Sequence, residues 1–386
     1  MKFLKRTVII CAGFIAALVM TGCNKTKYTF YTNMPSNLYA VLDDDYKLGG
    51  FIEGYTPIET MAEDVDLNGY TTQGKRYFAM LTDAELAASF IKNDENEEKF
   101  TSFGNEVYKV LDGVDKALSS TVTDSDIYNF NNAAVGERIE VSEITYEVLT
   151  LAKNIYTLTD GYYNPALYYN IQAYGFGGGD IPKSSAELPS DAEIEKYTEL
   201  ATHFGEITVT ADEDKYFVTK PSTTVEVGGE TLSMKLDLGG IGKGYAVDLV
   251  DGLFDEYGYK FGYFNFGASS ILTKNNLLTG AYDLHLINPR SLVRDQFLKV
   301  TVQCEKVSTS GDNEQFYYLD GVRYCHIIDP TTGKPVKTGI MSVTVLGGSA
   351  AESDALTTAI MAMGKDKAIE FIGEKLTDRR VVFTLE

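Results

Sequence analysis

The 386-residue chain predicts an α+β fold, with mixed and antiparallel sheets and packed helices in one large domain. Three observations carry that expectation. Strand-like alternation and helical spacing are interleaved, without the regular strand–helix repeat of a parallel sheet. Hairpin-type turns such as Asp320-Gly321 and Gly347-Gly348 punctuate the strand-like runs. About 310 residues run from Tyr77 to the C-terminus, ample for one sizeable core.

Residues 1–22 read as a targeting segment. Lys2, Lys5 and Arg6 form a basic start, and Val8 to Met20 is an apolar run too short to span a bilayer comfortably. It ends in Met20-Thr21-Gly22-Cys23, which looks like a lipoprotein box whose Cys23 sulfur takes a lipid. An ordinary secretory signal with an incidental cysteine is the alternative. The expectation is a lipid-anchored, extracytoplasmic protein that contacts the membrane through that anchor. Residues 23–76 show an acidic run and glycine pairs but no sustained period, so they form either a stalk or a few extra strands on the main body.

Loss of the leader lowers Lys+Arg from 34 to 31 against 55 Asp+Glu, a formal charge of about −24. Such a surface repels phosphate backbones and argues against a nucleic-acid partner. An anionic ligand would need local help from a metal ion or a lysine. Beyond the leader and Cys23 only Cys304 and Cys325 remain. In an exported protein they can pair, but spacing alone does not place them within bridging range.

From Tyr77 the main body, residues 77–386, begins with the strand-like Tyr77-Phe78-Ala79-Met80-Leu81-Thr82. Helical spacing follows over Asn105 to Ser119 and over Ser142 to Leu158, the second closed by Gly161. Strand-like alternation over Ile207-Thr208-Val209 and Tyr216-Phe217-Val218 delivers the chain to Asp237. The run Gly239-Gly240-Ile241-Gly242-Lys243-Gly244 fits neither the phosphate-loop pattern nor the dinucleotide fingerprint. It is either a tight structural turn or a place where backbone approaches a ligand, with Lys243 and the N-terminus of a helix over Tyr245 to Phe254 favouring an anion. Strands are expected over Gln315 to Tyr318, Val322 to Ile328 and Met341 to Leu346, then a helix from Glu352 to Met363.

Two constellations carry chemistry. His326, one of three histidines, lies near the end of a strand that stops at Asp329-Pro330, where proline has no N–H to donate. A histidine there is either structural or presented to a ligand. Asp354 and Thr358 stand four apart on one helical face. They offer oxygen ligands suited to Mg²⁺, or else simply favour a helix start and bond back to the preceding turn.

The blocks Leu236 to Asp248, Thr309-Ser310-Gly311-Asp312, His326 to Gly333 and Ser353 to Ala359, with the weaker Thr159 to Pro165, run in one order along the chain. Together they resemble the FAD:protein FMN transferase family, also called the ApbE family. The resemblance implies a flavin transferase fold of two lobes with the flavin between them. It implies FAD contacts at Met80, Tyr162, Tyr163, Asn164, Asp237, Lys243 and Ile328, and Mg²⁺ ligands at Asp354, Thr358 and the backbone oxygen of Gly240. Three positions depart from the family pattern. Leu81 follows Met80 where an acidic or small residue is usual, Asn164 stands where an acid is commoner, and Gly267-Ala268-Ser269 replaces Gly-Gly-Asp.

The implied reaction is Mg²⁺-dependent transfer of FMN from FAD, the substrate, to a Thr or Ser hydroxyl of a target protein, with release of AMP. His326 is the candidate general base, titrating at roughly 6–7 if ordinary. Asp329 either orients it or caps the turn. The alternatives are an FAD pyrophosphatase giving FMN and AMP, and a flavin-binding lipoprotein without turnover. No Ser/Thr-Gly-Ala-Thr stretch of the acceptor kind occurs here, so the target is another protein.

Overall fold

The computed structural model describes residues 29–32, 39–40, 58–61, 65–67, 70–72, 74–81, 84–91, 94–267, 269–276, 279–290 and 296–385. The leader and Cys23 lie outside these residues. Nine strands form one sheet in the order Thr29–Thr32, Arg380–Leu385, Ile340–Leu346, Lys306–Gly311, Ser270–Thr273, Gly262–Phe266, Ala84–Ile91, Gly74–Leu81 and Ile58–Met61. Every neighbouring pair is antiparallel. Residues 29–32 and 58–61 therefore sit at opposite edges of the same sheet.

Eight helices accompany it among the described residues: α1 (Asp94–Leu118), α2 (Asp126–Asn132), α3 (Glu143–Leu158), α4 (Tyr168–Ala173), α5 (Asp191–Ala201), α6 (Gly239–Glu256), α7 (Ala350–Met363) and α8 (Lys365–Lys375). None of the described helices is long and apolar enough to cross a membrane. Ser142 caps α3 by accepting from Thr145 N, and Ser349 caps α7 by accepting from Glu352 N. Helix α1 begins eleven residues before the expected Asn105, because its first turns are polar and carry little apolar period.

The sheet is the middle of three layers, and the period of two along its strands sorts side chains between them. Leu86, Phe264 and Leu272 face α1 and α6, while Val343, Val345, Val381 and Phe383 face the core under α7. Their neighbours Ala87, Tyr263, Ile271, Val307, Leu346 and Val382 face the other way. There they meet Leu284, Leu286, Leu298 and Val300 from the smaller sheet of Tyr282–Ile287, Gln296–Val302 and Tyr39–Ala40. Helices α2 to α5 and the antiparallel strands Arg138–Val141, Lys215–Thr219 and Thr208–Asp212 make the second lobe, which shares the core beneath α7.

The glycine run is helical from its first residue, not a loop, since α6 begins at Gly239. The reason is the close approach of α7. A Cβ on Gly244 would fall well inside contact distance of the Ala350 backbone. The helices are antiparallel and meet turn by turn, Gly240 opposite Thr358, Gly244 opposite Asp354 and Ala350, and Asp248 opposite the start of α7. Asp248 accepts from Ser349 Oγ at 2.6 Å and from Ala350 N and Ala351 N at 2.9 Å each, so a carboxylate of one helix caps the other. Lys306 Nζ holds that carboxylate at 2.8 Å. Cys304 is exposed and Cys325 buried, and both are free thiols.

Two glycines on helices should therefore respond oppositely to alanine. Gly104 of α1 has nothing near its Cβ position, and Gly104→Ala is expected to raise stability by about 0.4–1 kcal/mol. Gly244→Ala must push α6 from α7 and is expected to cost about 3 kcal/mol or more. Urea unfolding midpoints of the two variants check this.

Candidate functional site

The α6–α7 contact brings three predicted residues, Gly240, Asp354 and Thr358, together. Asp354 is 2 % exposed and accepts from Gly244 N at 3.0 Å through Oδ2. Burial pushes its carboxyl up, and Lys243 and the Gly244 N–H oppose the shift. One turn away on each helix, the Cβ position of Gly240 lies 3.2 Å from Thr358 Oγ1 and 3.6 Å from the Tyr163 ring. Thr357, not Thr358, bonds back to the Asp354 carbonyl, at 2.6 Å. The Thr358 hydroxyl instead stays at the junction, where Ser310 Oγ approaches it at 3.4 Å.

Among the described residues, no three His, Cys, Asp or Glu side chains cluster as a metal cage. The junction is a different kind of donor set: one carboxylate, one hydroxyl and the main chain of Gly240. Beside it the Tyr163 hydroxyl, on a side chain 3 % exposed, is buried with no hydrogen-bond partner. An oxygen-only set with one carboxylate fits magnesium when substrate phosphate and water complete its coordination. The orphaned hydroxyl fits a site that a polar ligand shares.

The other predicted residues divide into those facing this junction and those that do not. Asp237 sits at the entrance of α6, where Oδ1 accepts from Gly239 N at 2.8 Å. Its Oδ2 borders Gly177, and burial raises its carboxyl while the Gly239 N–H lowers it. Lys243, on the second turn of α6, makes no ion pair among the described residues, yet its charge is felt by Asp354, Glu314 and His326. The Asn164 amide accepts from Ala166 N at 3.0 Å within its own turn and donates to Ala201 O at the end of α5 at 2.9 Å. It is a brace for the loop between α3 and α4. Tyr162 lies under Lys367, 4.3 Å from Nζ to the ring centre. Ile328 is buried in the core and pairs with Pro335, and Met80 lies in the strand Gly74–Leu81 opposite Glu85.

His326 interrupts the expected strand, which ends at Cys325, and only Ile328–Asp329 resumes pairing. Its N–H donates to Gln315 O at 3.1 Å, and its Nδ1 lies 3.4 Å from the same oxygen. Phe176 meets the ring edge-on at 6.3 Å. Enclosure pushes the imidazolium down to about 4, with the Gln315 carbonyl opposing and Lys243 adding to the fall. Above that pH the ring is neutral. With the Nδ1–H directed to Gln315 O, the Nε2 lone pair is left free to accept a proton.

Asp329 does not orient His326. Its Oδ1 accepts from Thr331 N at 2.8 Å and Thr331 Oγ1 at 2.7 Å, and its Oδ2 from Thr332 Oγ1 at 3.1 Å, so it caps the turn. Gly333 closes that turn at φ +68° against Asn170 and Thr198, where no Cβ fits.

Three further residues were given no role of their own in the sequence reading. Ser310 ties its strand to α7 through Thr357 Oγ1 at 2.8 Å. Asp312 takes a two-pronged contact from Arg290 at 2.6 and 2.7 Å. Glu314 is exposed yet lies within electrostatic reach of Lys243 and Asp354; desolvation raises its carboxyl, against the pull of Lys243. All three fall in or just after the block Thr309 to Asp312, which was the available signal.

A family model described as the ApbE family matches residues 80–383. The chain is 26 % identical over 280 residues to a protein of Klebsiella pneumoniae named FAD:protein FMN transferase, covering 72 % of this chain and 76 % of that one. The Escherichia coli K12 protein of the same name is 27 % identical, with 68 % and 71 % covered. Among solved structures, the ApbE protein of Thermotoga maritima superposes with a TM-score of 0.66 at 24 % identity, covering 86 % of this chain and 94 % of that one. The flavin transferase ApbE of Vibrio cholerae does so at 0.62 and 22 %, covering 86 % and 94 %. These likenesses establish a shared fold, and the family match spans most of the chain. The chain belongs to the ApbE family.

Proposed function

We propose that this protein transfers the FMN portion of FAD to a Thr or Ser hydroxyl of a target protein and releases AMP. The observation that carries the reading is the junction of Gly240, Asp354 and Thr358, with Lys243 beside it and a neutral His326 within reach of the Lys243 charge. Relatives named FAD:protein FMN transferase support it.

Gly240 through its carbonyl, Asp354 and Thr358 would hold magnesium. When bound, the ion neutralises charge on the leaving phosphate and polarises the bond being broken. Lys243 and the N-terminal turn of α6 attract the diphosphate into an otherwise acidic protein. His326 accepts the proton of the attacking hydroxyl at Nε2. The hydroxyl oxygen bonds to the phosphorus on the FMN side, the anhydride P–O bond breaks, and AMP departs with those electrons. The product is a phosphoester between FMN and the target. The lipoprotein box at Cys23 would place this chemistry outside the cytoplasm at a membrane surface.

Incubation with FAD, magnesium and a candidate target tests the reading. A flavin-bearing target with AMP supports it. Free FMN plus AMP alone makes the protein a hydrolase, and unchanged FAD makes it a carrier.

Four variants probe the assignments. Asp354→Ala removes the only charged side chain of the magnesium set, and transfer should fall to near background without recovery in excess magnesium. Thr358→Val should weaken it less. Asp354→Ala active in chelator would remove the metal site. His326→Ala should keep FAD affinity, read by flavin fluorescence, while transfer slows by about 10²–10⁴-fold. Since the neutral ring is the base and its pKa is depressed, the wild-type rate should rise with pH through about 4, not through 6–7. The His326 variant should lack that limb. Cys23→Ala should leave turnover intact and release the protein from membranes on fractionation, and unchanged membrane partition would contradict the anchor.

A further inference from the structure

The chain enters α6 through residues 234–238, which belong to no strand or helix. Met234, Leu236 and Leu238 are buried in the core, while Lys235 and Asp237 between them are half-buried. That is the alternation of an extended segment, whose backbone groups need partners even without a ladder to join. For Leu236 the partner is a side chain. Asn131, 105 residues earlier, accepts from Leu236 N at 2.7 Å through Oδ1 and donates to Leu236 O at 3.0 Å through Nδ2. One amide, 4 % exposed, thus does the work of a neighbouring strand.

Asn131 is itself held. It lies in the last turn of α2, and a helix C-terminus leaves carbonyls short of partners. The Lys220 ammonium, on a side chain 1 % exposed, meets three of them: Phe130 O at 3.1 Å, Asn131 O at 3.2 Å and Ala133 O at 3.1 Å. Lys220 is tied in turn through its own backbone, its N–H donating to Glu137 O and its carbonyl accepting from Gly136 N, both at 3.0 Å.

The residue that this arrangement aims is Asp237. The two Asn131 bonds fix the peptide planes on both sides of Leu236, and the second plane carries the Asp237 nitrogen. That nitrogen donates to Pro165 O at 2.9 Å. Asp237 Oδ1 is taken by Gly239 N, whereas among the described residues nothing donates to Oδ2. The buried Tyr163 hydroxyl feels the charges of both Asp354 and Asp237, which puts Asp237 beside the α6–α7 junction.

We propose that Asn131 is a positioning residue for FAD binding: by fixing Leu236 it aims Asp237 Oδ2 at a hydroxyl or amino donor of the nucleotide. This rests on the FAD site of the flavin-transfer reading above and adds a residue that acts on it only through Asp237.

The test is a double-mutant cycle on the full chain with magnesium, read as FAD affinity by flavin fluorescence. Asn131→Ala should raise the Kd for FAD about tenfold, a loss of about 1.4 kcal/mol. Asp237→Ala should raise it at least as much. Added to Asp237→Ala, Asn131→Ala should change the Kd by less than about twofold, because the carboxylate it aims is gone. Transfer by Asn131→Ala at saturating FAD should stay within about threefold of wild type. Val148→Ala, in the core on α3, should lower the urea midpoint and leave the Kd unchanged. Asn131→Asp keeps the acceptor for Leu236 N and loses the donor to Leu236 O, and it replaces the alanine variant in the cycle if that one does not fold. A wild-type Kd in the Asn131 variant overturns the proposal. So does an equal loss in both backgrounds, or a raised Kd in Val148→Ala, since either makes Asn131 a brace for the fold alone. Failure of both Asn131 variants to fold has the same consequence. Wild type that does not bind FAD would instead defeat the flavin-transfer reading, and this proposal with it.

Discussion

The antiparallel contact of α6 and α7 is the constraint on which the rest depends. Helices this close leave no room for a Cβ at Gly244. Their separation sets where Asp354, Thr358 and the Gly240 main chain stand relative to one another. Two polar devices hold the crossing. The Asp248 carboxylate caps the start of α7 from the side of α6, and the Gly244 N–H donates to Asp354. A side-chain cap and a charge at a helix N-terminus are each typically worth about 1 kcal/mol. Their larger effect is geometric, because they pin the rotation of one helix on the other.

The same contact explains how an acidic protein can handle an anionic substrate. A buried carboxylate is costly unless it is paired, and Asp354 has one backbone donor and the nearby Lys243 charge to offset burial. Lys243 also acts on Glu314 and His326, lowering both. One cation that makes no ion pair among the described residues thus acts on three titratable groups. In the proposed reading a diphosphate would meet Lys243, the first turn of α6 and the Tyr163 hydroxyl, which lacks a partner among the described residues.

Much of this was legible in the sequence where the signal is local. The α+β class, the course of α3 and the C-terminal end of α7 follow from alternation and helical spacing. His326 was marked by the turn chemistry after it, and Asp354 and Thr358 by their spacing of four. What was not legible depends on partners distant in the chain. The glycine run looked like a loop because glycine is a poor helix former, and only α7, about a hundred residues later, shows why a helix needs it. The depressed basicity of His326 comes from enclosure that no local pattern reports. Asn164 and Asp329 were read as open to other roles; in the structure Asp329 caps its own turn, while Asn164 accepts from Ala166 N and donates to the distant Ala201 O. Glu314 was passed over because a single acid after a recognised block carries no pattern.

The central claim is that the α6–α7 junction is a magnesium site serving the diphosphate of FAD. Anomalous diffraction from crystals grown with FAD and Mn²⁺ in place of Mg²⁺ tests it most directly. The account predicts one manganese peak bonded to the Asp354 carboxylate, Thr358 Oγ1 and the Gly240 carbonyl, with diphosphate oxygens on its open side. FAD bound with manganese elsewhere, or with no peak at this junction, would contradict it.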